Sequence, residues 1–261
     1  FDGIVVITQY LTYLDLGIYK EAYRLLHPDK PNIKREEDFI LAAEMAYQSV
    51  EIKTIQPYFI WAKNHGLNAS GDPENQKRYF VEFTVEGEPG WWPDDDVNLI
   101  FTLEMNDQGW RIISQDTIAK NTNQSLPVTT AWIAPEFFDG IILITKYYTY
   151  LDLGLFEEAY NLLSASNQGY RDKEDWLEIA PSIYISVRII KIEPLFILAR
   201  HYSYNTPTPE TGDVRKFHVQ IIPEGEGAMS GSVMNGVVYS HFISLIQENS
   251  AWKIDGFSTA P

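Results

Sequence analysis

FDGIVVITQYLTYLDLGIYKEAYRLL, residues 1–26, returns as FDGIILITKYYTYLDLGLFEEAYNLL, residues 138–163. At an offset of 137, 18 of these 26 positions are identical, which marks an internal duplication. The same offset carries Ile55, Pro57, Phe59, Ile60 and Ala62 onto Ile192, Pro194, Phe196, Ile197 and Ala199. It becomes 138 where Tyr79, Val81 and Phe83 meet Phe217, Val219 and Ile221. By Trp110-Arg111-Ile112 and Trp252-Lys253-Ile254 it is 142. The extra residues belong in loops, chiefly the Gly/Ser-rich stretch 225–236. Two domains follow, residues 1–120 and 136–261, joined by a polar linker at 121–135. A chain of 261 residues gives each half enough length to bury its own core.

Hydrophobic periodicity assigns the elements. Ile4, Ile7, Leu11 and Leu14 recur at helical spacing, as do Ile141, Ile144, Tyr148 and Leu151. Gly17 and Gly154 suit left-handed helix ends. A short second helix carries Tyr19, Ala22, Tyr23 and Leu26, matched by Phe156, Ala159, Tyr160 and Leu163. A third carries Phe39, Ala42, Ala43 and Ala46, matched by Trp176, Ile179, Ala180 and Ile183, and Pro181 is expected to distort or end it early. The period then changes to two. A long strand is expected from Val50 to Ala62, bent near Pro57. Alternating runs at 79–85 and 97–105, then a turn into Trp110 and Ile112, complete an antiparallel meander. The predicted class is α+β: two tandem domains, each with three N-terminal helices packed on a curved four-stranded antiparallel sheet.

This order resembles the nuclear-transport-factor-2-like superfamily, a cone-shaped, cystatin-like α+β fold. The residues that carry the resemblance are Tyr–Leu–Asp–Leu–Gly at 13–17 and 150–154, Glu-Ala-Tyr-x-Leu-Leu at 21–26 and 158–163, and the Trp-x-Ile final strand. The resemblance implies a cone with an inner face and a mouth, and a pairing of the two domains as a pseudo-dimer. It implies no single activity, because the superfamily includes isomerases, dehydratases, hydrolases, transport adaptors and non-catalytic extracytoplasmic modules.

Composition excludes several classes. The net charge of −16 is spread over both halves, and no basic patch exists to neutralise phosphates, so nucleic acid is not an expected partner. There is no cysteine, which removes disulfides and thiolate chemistry. No apolar run of about 18 residues occurs, so no membrane-spanning helix is expected. The first copy opens at Phe1-Asp2-Gly3, whereas Phe138-Asp139-Gly140 is preceded by Ile133-Ala134-Pro135-Glu136-Phe137. A removed export signal or a trimmed helix start accounts for the difference, and an extracytoplasmic location is expected over a cytoplasmic one.

The candidate functional residues are few. No cofactor or metal is expected, since no phosphate loop, dinucleotide fingerprint or regular ligand spacing is present. Asp15 and Asp152 read as solvated or turn-bonding carboxylates at helix ends. Tyr13 and Tyr150 sit on the first helices, where a phenol reaches either a cone interior or the core edge. His218 and His241 occur only in the second copy, at the positions of Phe80 and Leu99. His241 shares the strand parity of Tyr239 and of the apolar row, and His218 has the opposite parity. Glu82 lies on the face opposite that row. The acidic loop at 88–96 carries Trp91 and Trp92, suited to packing, to closing a cone mouth or to stacking on a sugar.

The leading expectation is a non-catalytic binding or interaction module, because the copies share core residues but no common polar set. Catalysis by the second cone, with Tyr150 and His241 as its polar pair, and glycan binding at Trp91 and Trp92 are the alternatives. The ligand, be it small molecule, glycan or protein, is open at this level.

Overall fold

The computed structural model describes residues 2–28, 35–66, 72–88, 96–118, 136–195, 214–225 and 236–259. The chain divides into two compact units, Asp2–Phe138 and Asp139–Pro261. The expected linker lies outside the described residues.

The first unit runs α1 (Asp2–Asp15), α2 (Tyr19–Arg24), α3 (Glu36–Ala46), β1 (Ser49–Pro57), α4 (Tyr58–Asn64), β2 (Gln76–Glu86), β3 (Asp96–Asn106) and β4 (Gly109–Thr117). The second runs α5 (Glu136–Asp152), α6 (Phe156–Asn161), α7 (Ala165–Tyr170), α8 (Lys173–Ile183), β5 (Ser186–Pro194), β6 (Val214–Glu224), β7 (Tyr239–Glu248) and β8 (Ala251–Ser258). Each unit holds one antiparallel four-stranded sheet in sequential order. The class is α+β, as the change of hydrophobic period predicts.

The shared residues have shared physical tasks. Gly17 and Gly154 sit at φ +68° and +71°, where a side chain is strained. They form matching helix ends: Ile18 N–H donates to the Tyr13 carbonyl at 2.8 Å, and Leu155 N–H to the Tyr150 carbonyl at 2.8 Å. The glycine of each Phe-Asp-Gly is required by packing. A Cβ on Gly3 would come within 2.3 Å of the Tyr79 ring, and one on Gly140 within 2.3 Å of the Phe217 ring. The Leu-Leu that ends the second helix pairs with the final strand through parallel bridges, Leu26 with Ile112 and Leu163 with Ile254. That bridge explains why Trp-x-Ile travels with Glu-Ala-Tyr-x-Leu-Leu.

Asp15 and Asp152 also repeat a contact. Asp15 accepts from the Val50 N–H at 2.8 Å, and Asp152 from the Val187 N–H at 2.7 Å. Each ties the end of the long helix to the start of the first strand, a cross-element role rather than a local turn. Asp15→Ala and Asp152→Ala should each lower stability by roughly 1–3 kcal/mol, the range for a partly buried hydrogen bond to a charged acceptor. Urea denaturation of each variant measures it, and an unchanged midpoint would show that the tie contributes nothing.

Three expectations need correction. The strand does not continue to Ala62: β1 ends at Pro57 and residues 58–64 form α4. Pro57 interrupts the ladder, and Trp61 and Ala62 bury themselves one helical turn later instead of alternating across a sheet. The irregularity in β1 lies between Ile52 and Thr54, and in β5 between Ile189 and Lys191, upstream of the proline. Finally, α8 passes through Pro181 and ends at Ile183, with the same 11 residues as α3. A proline in the last turn of an exposed helix face removes one hydrogen bond without forcing an earlier stop.

Candidate functional site

Strand register fixes which residues of the two copies are equivalent. Phe83 pairs with Val97 and Val81 with Leu99 in the first sheet. Ile221 pairs with Tyr239 and Val219 with His241 in the second. Tyr239 and His241 therefore stand where the first unit has Val97 and Leu99. On the long helix, Tyr148 stands where the first unit has Leu11. Three apolar side chains of one unit are thus two phenols and an imidazole in the other.

These three changes meet in space. The Tyr148 hydroxyl and His241 Nε2 are 2.6 Å apart and buried. The rings of Tyr239 and His241 stack at 5.0 Å between centroids, with 25° between planes. All three line a cavity of about 450 Å³ in the second unit. Its walls also include Tyr147, Tyr184, Trp176 and Phe257, with Asn167, Tyr170 and Arg171 from α7 and the residue after it. Such a volume lies within the range of small-molecule pockets. The Trp176 ring is fixed by its Nε1–H, which donates to the Phe156 carbonyl at 3.2 Å. The α7 wall is held by the Ser164 side chain, which accepts from the Asn167 N–H, and by the Tyr160 hydroxyl, which donates to the Arg171 carbonyl.

Burial sets the electrostatics. His241 is 3% exposed, and desolvation, with a smaller push from His218, lowers its pKa from 6.5 to about 4. The imidazole is neutral at pH 7. Burial also raises Tyr147 and Tyr148 well above the ordinary phenol value and Tyr184 to about 12. Tyr184, Tyr147 and Tyr239 each add to the rise at Tyr148, and all four phenols line the cavity. In the first unit the Tyr147 counterpart is Tyr10, hydrogen-bonded to Gln115. In the second unit Phe257 replaces that glutamine and packs its ring on Tyr147 at 5.7 Å. The cavity therefore carries phenolic hydroxyls and an imidazole against aromatic walls, and no Asp or Glu lines it among the described residues.

The remaining sequence candidates fall elsewhere. His218 points to the other side of the sheet, with Nε2 3.2 Å from the Ser240 hydroxyl and Nδ1 3.5 Å from the Glu193 carboxylate. Tyr150 is partly buried on α5 and is not a cavity residue; the phenol that meets His241 is Tyr148, two positions earlier. Tyr13 is buried in the first unit. Glu82 lies on β2 opposite the buried Val81 and Phe83, among Thr54 and Asn98. Trp91 and Trp92 lie outside the described residues. The first unit has a cleft of about 430 Å³ lined by Arg24, His27, Glu36 and Arg111, and of its lining only Tyr23 and Leu26 have counterparts in the second-unit cavity. Among the described residues no three His, Asp or Glu side chains are grouped to hold a metal ion, and no helix is long and apolar enough to cross a membrane.

The site is an aromatic cavity built into one copy of a duplicated α+β unit. No protein-family model matches the chain, and no curated protein matches it by sequence. Solved structures align loosely. A cystatin-like protein from Ruminococcus gnavus aligns over 97% of this chain and 88% of its own, at 10% identity and a TM-score of 0.26. An NTF2-like protein involved in plasmid conjugation aligns over 97% and 96%, at 10% identity and 0.28. A SEC-C motif containing protein from Rhodopseudomonas palustris aligns over 46% and 77%, at 9% identity and 0.29. These alignments are too loose to transfer a site or an activity.

Proposed function

We propose that the chain is a non-catalytic binding protein whose second unit takes a flat, largely apolar small molecule into the Tyr148–His241–Tyr239 cavity. The observation that carries this reading is that Leu11, Val97 and Leu99 of the first copy are replaced together, and the replacements converge on one cavity. Aromatic walls offer ring faces for offset stacking, and phenols supply a few directional polar contacts. Binding is favoured over catalysis by the state of the imidazole. A histidine neutral down to about pH 4 is a weak base, and its Nε2 is already engaged with Tyr148. No carboxylate lines the cavity beside it among the described residues.

The test uses 2-ethylnaphthalene as a flat apolar probe and calorimetry on the full chain. Saturable binding at one site is expected. Ile221→Phe, which introduces the residue the first unit already has at Phe83, should fill the cavity and weaken binding at least tenfold while the protein stays folded. Absence of binding to the unmodified chain, or equal binding by a folded Ile221→Phe variant, would count against the proposal.

A further inference from the structure

We infer that Tyr148 is the specificity-determining residue of this cavity, and that it selects a ligand bearing an uncharged hydrogen-bond acceptor, such as a ring-attached carbonyl. The inference rests on the binding reading above and adds the chemistry of the ligand.

Two hydrogens compete for one contact. A neutral imidazole carries one N–H, and Tyr148 carries one O–H. Only one hydrogen fits in the 2.6 Å between the hydroxyl and Nε2. The other must be placed elsewhere. If Tyr148 donates to Nε2, the imidazole hydrogen sits on Nδ1, which is buried without a hydrogen-bond partner. A buried orphan N–H is the costlier kind of unmet group, and an unmet acceptor is the cheaper. If Nε2–H donates instead, Nδ1 is left as an unmet acceptor and the phenolic hydrogen is released, so this form is the cheaper one once a ligand in the cavity accepts that hydrogen. Tyr148 lines the cavity, and no hydrogen bond joins it to Tyr147, Tyr184 or Tyr239. The released hydrogen is then available to whatever fills the cavity.

The surroundings decide the charge of that acceptor. Burial holds Tyr148 protonated and His241 neutral, and Arg171, the cationic side chain of the lining, is solvent-exposed, so neither polar group at the buried end balances an anion. A carboxylate placed there would lose its hydration without an ionic partner. A carbonyl oxygen loses far less and gains the phenol as donor. His241 acts through Tyr148 by holding its oxygen, and is a positioning residue.

The test compares 2-acetylnaphthalene with 2-isopropenylnaphthalene, in which a CH₂ group replaces the carbonyl oxygen at nearly the same shape. Both are titrated into the full chain and into Tyr148→Phe. The ketone-to-alkene affinity ratio should fall roughly tenfold in Tyr148→Phe, the size of one neutral hydrogen bond, while alkene binding persists. ¹⁵N shifts of His241 should report the Nε2–H form in the ketone complex. If neither compound binds, the binding reading itself fails. If both bind and the ratio is unchanged by Tyr148→Phe, or His241 is the Nδ1–H form with ketone bound, the acceptor inference is overturned and the binding reading stands.

Discussion

Tyr148→Leu is expected to destabilise the second unit by roughly 3 kcal/mol, and adding His241→Leu should recover part of that loss. The first substitution removes a phenol that is almost entirely buried, leaving a void and depriving the 3%-exposed imidazole of its hydrogen bond to Tyr148. Large-to-small core changes of this kind cost about 2–5 kcal/mol, and an unmet buried polar group adds about 1–3. The double variant recreates the pair Leu11 and Leu99 of the first unit. There a leucine on the helix and a leucine on the strand coexist in a buried core, at 1% and 4% exposure. Replacing both polar partners by apolar groups is far less costly than orphaning one. A double-mutant cycle by urea denaturation should therefore give a coupling of at least about 1 kcal/mol. Simple additivity of the two single changes would show that the phenol and imidazole do not act as a pair.

Acid should destabilise the second unit over a defined window. The pKa of His241 is lowered by folding from 6.5 to about 4, so the unfolded chain takes up the proton first as the pH falls. Stability from this group is complete above pH 6.5 and declines between 6.5 and about 4. Below that both states are protonated and the loss is constant. The full loss is roughly 3 kcal/mol, from the free-energy equivalent of a pKa difference. In His241→Leu the stability lost across this window should shrink by that amount, leaving the acid sensitivity of the other titratable groups. Denaturation midpoints at pH 7, 5.5 and 4.5 for the two proteins provide the comparison. Equal slopes would mean that folding does not shift the pKa of His241.

The scaffold was legible in the sequence because its constraints are local and duplicated. Gly17 and Gly154 need positive φ, Gly3 and Gly140 leave room for a ring, and the alternation of Val81 and Phe83 marks a buried strand face. Each leaves a mark at one position, and repetition at a fixed offset separates it from chance. The helix at Tyr58–Asn64 was not legible, since an apolar run of that length fits a buried strand as well as a buried helix. The site was half legible. The parity of His241 and Tyr239 placed them on the core face. Tyr148 was visible only as one more core residue at helical spacing, opposite Leu11. That it meets His241 across 93 positions is a tertiary fact. The pairing of polar exceptions between the copies was the available signal: positions apolar in one repeat and polar in the other identify all three residues.

The most direct measurement is the binding isotherm of 2-acetylnaphthalene for the full chain beside that of the Tyr148→Leu/His241→Leu variant at pH 7. The unmodified chain should bind one equivalent, and the variant, folded and carrying the first unit's pair, should bind at least tenfold more weakly. Equal affinity in both proteins, or no binding to the unmodified chain, would contradict the assignment of a ligand site to this cavity.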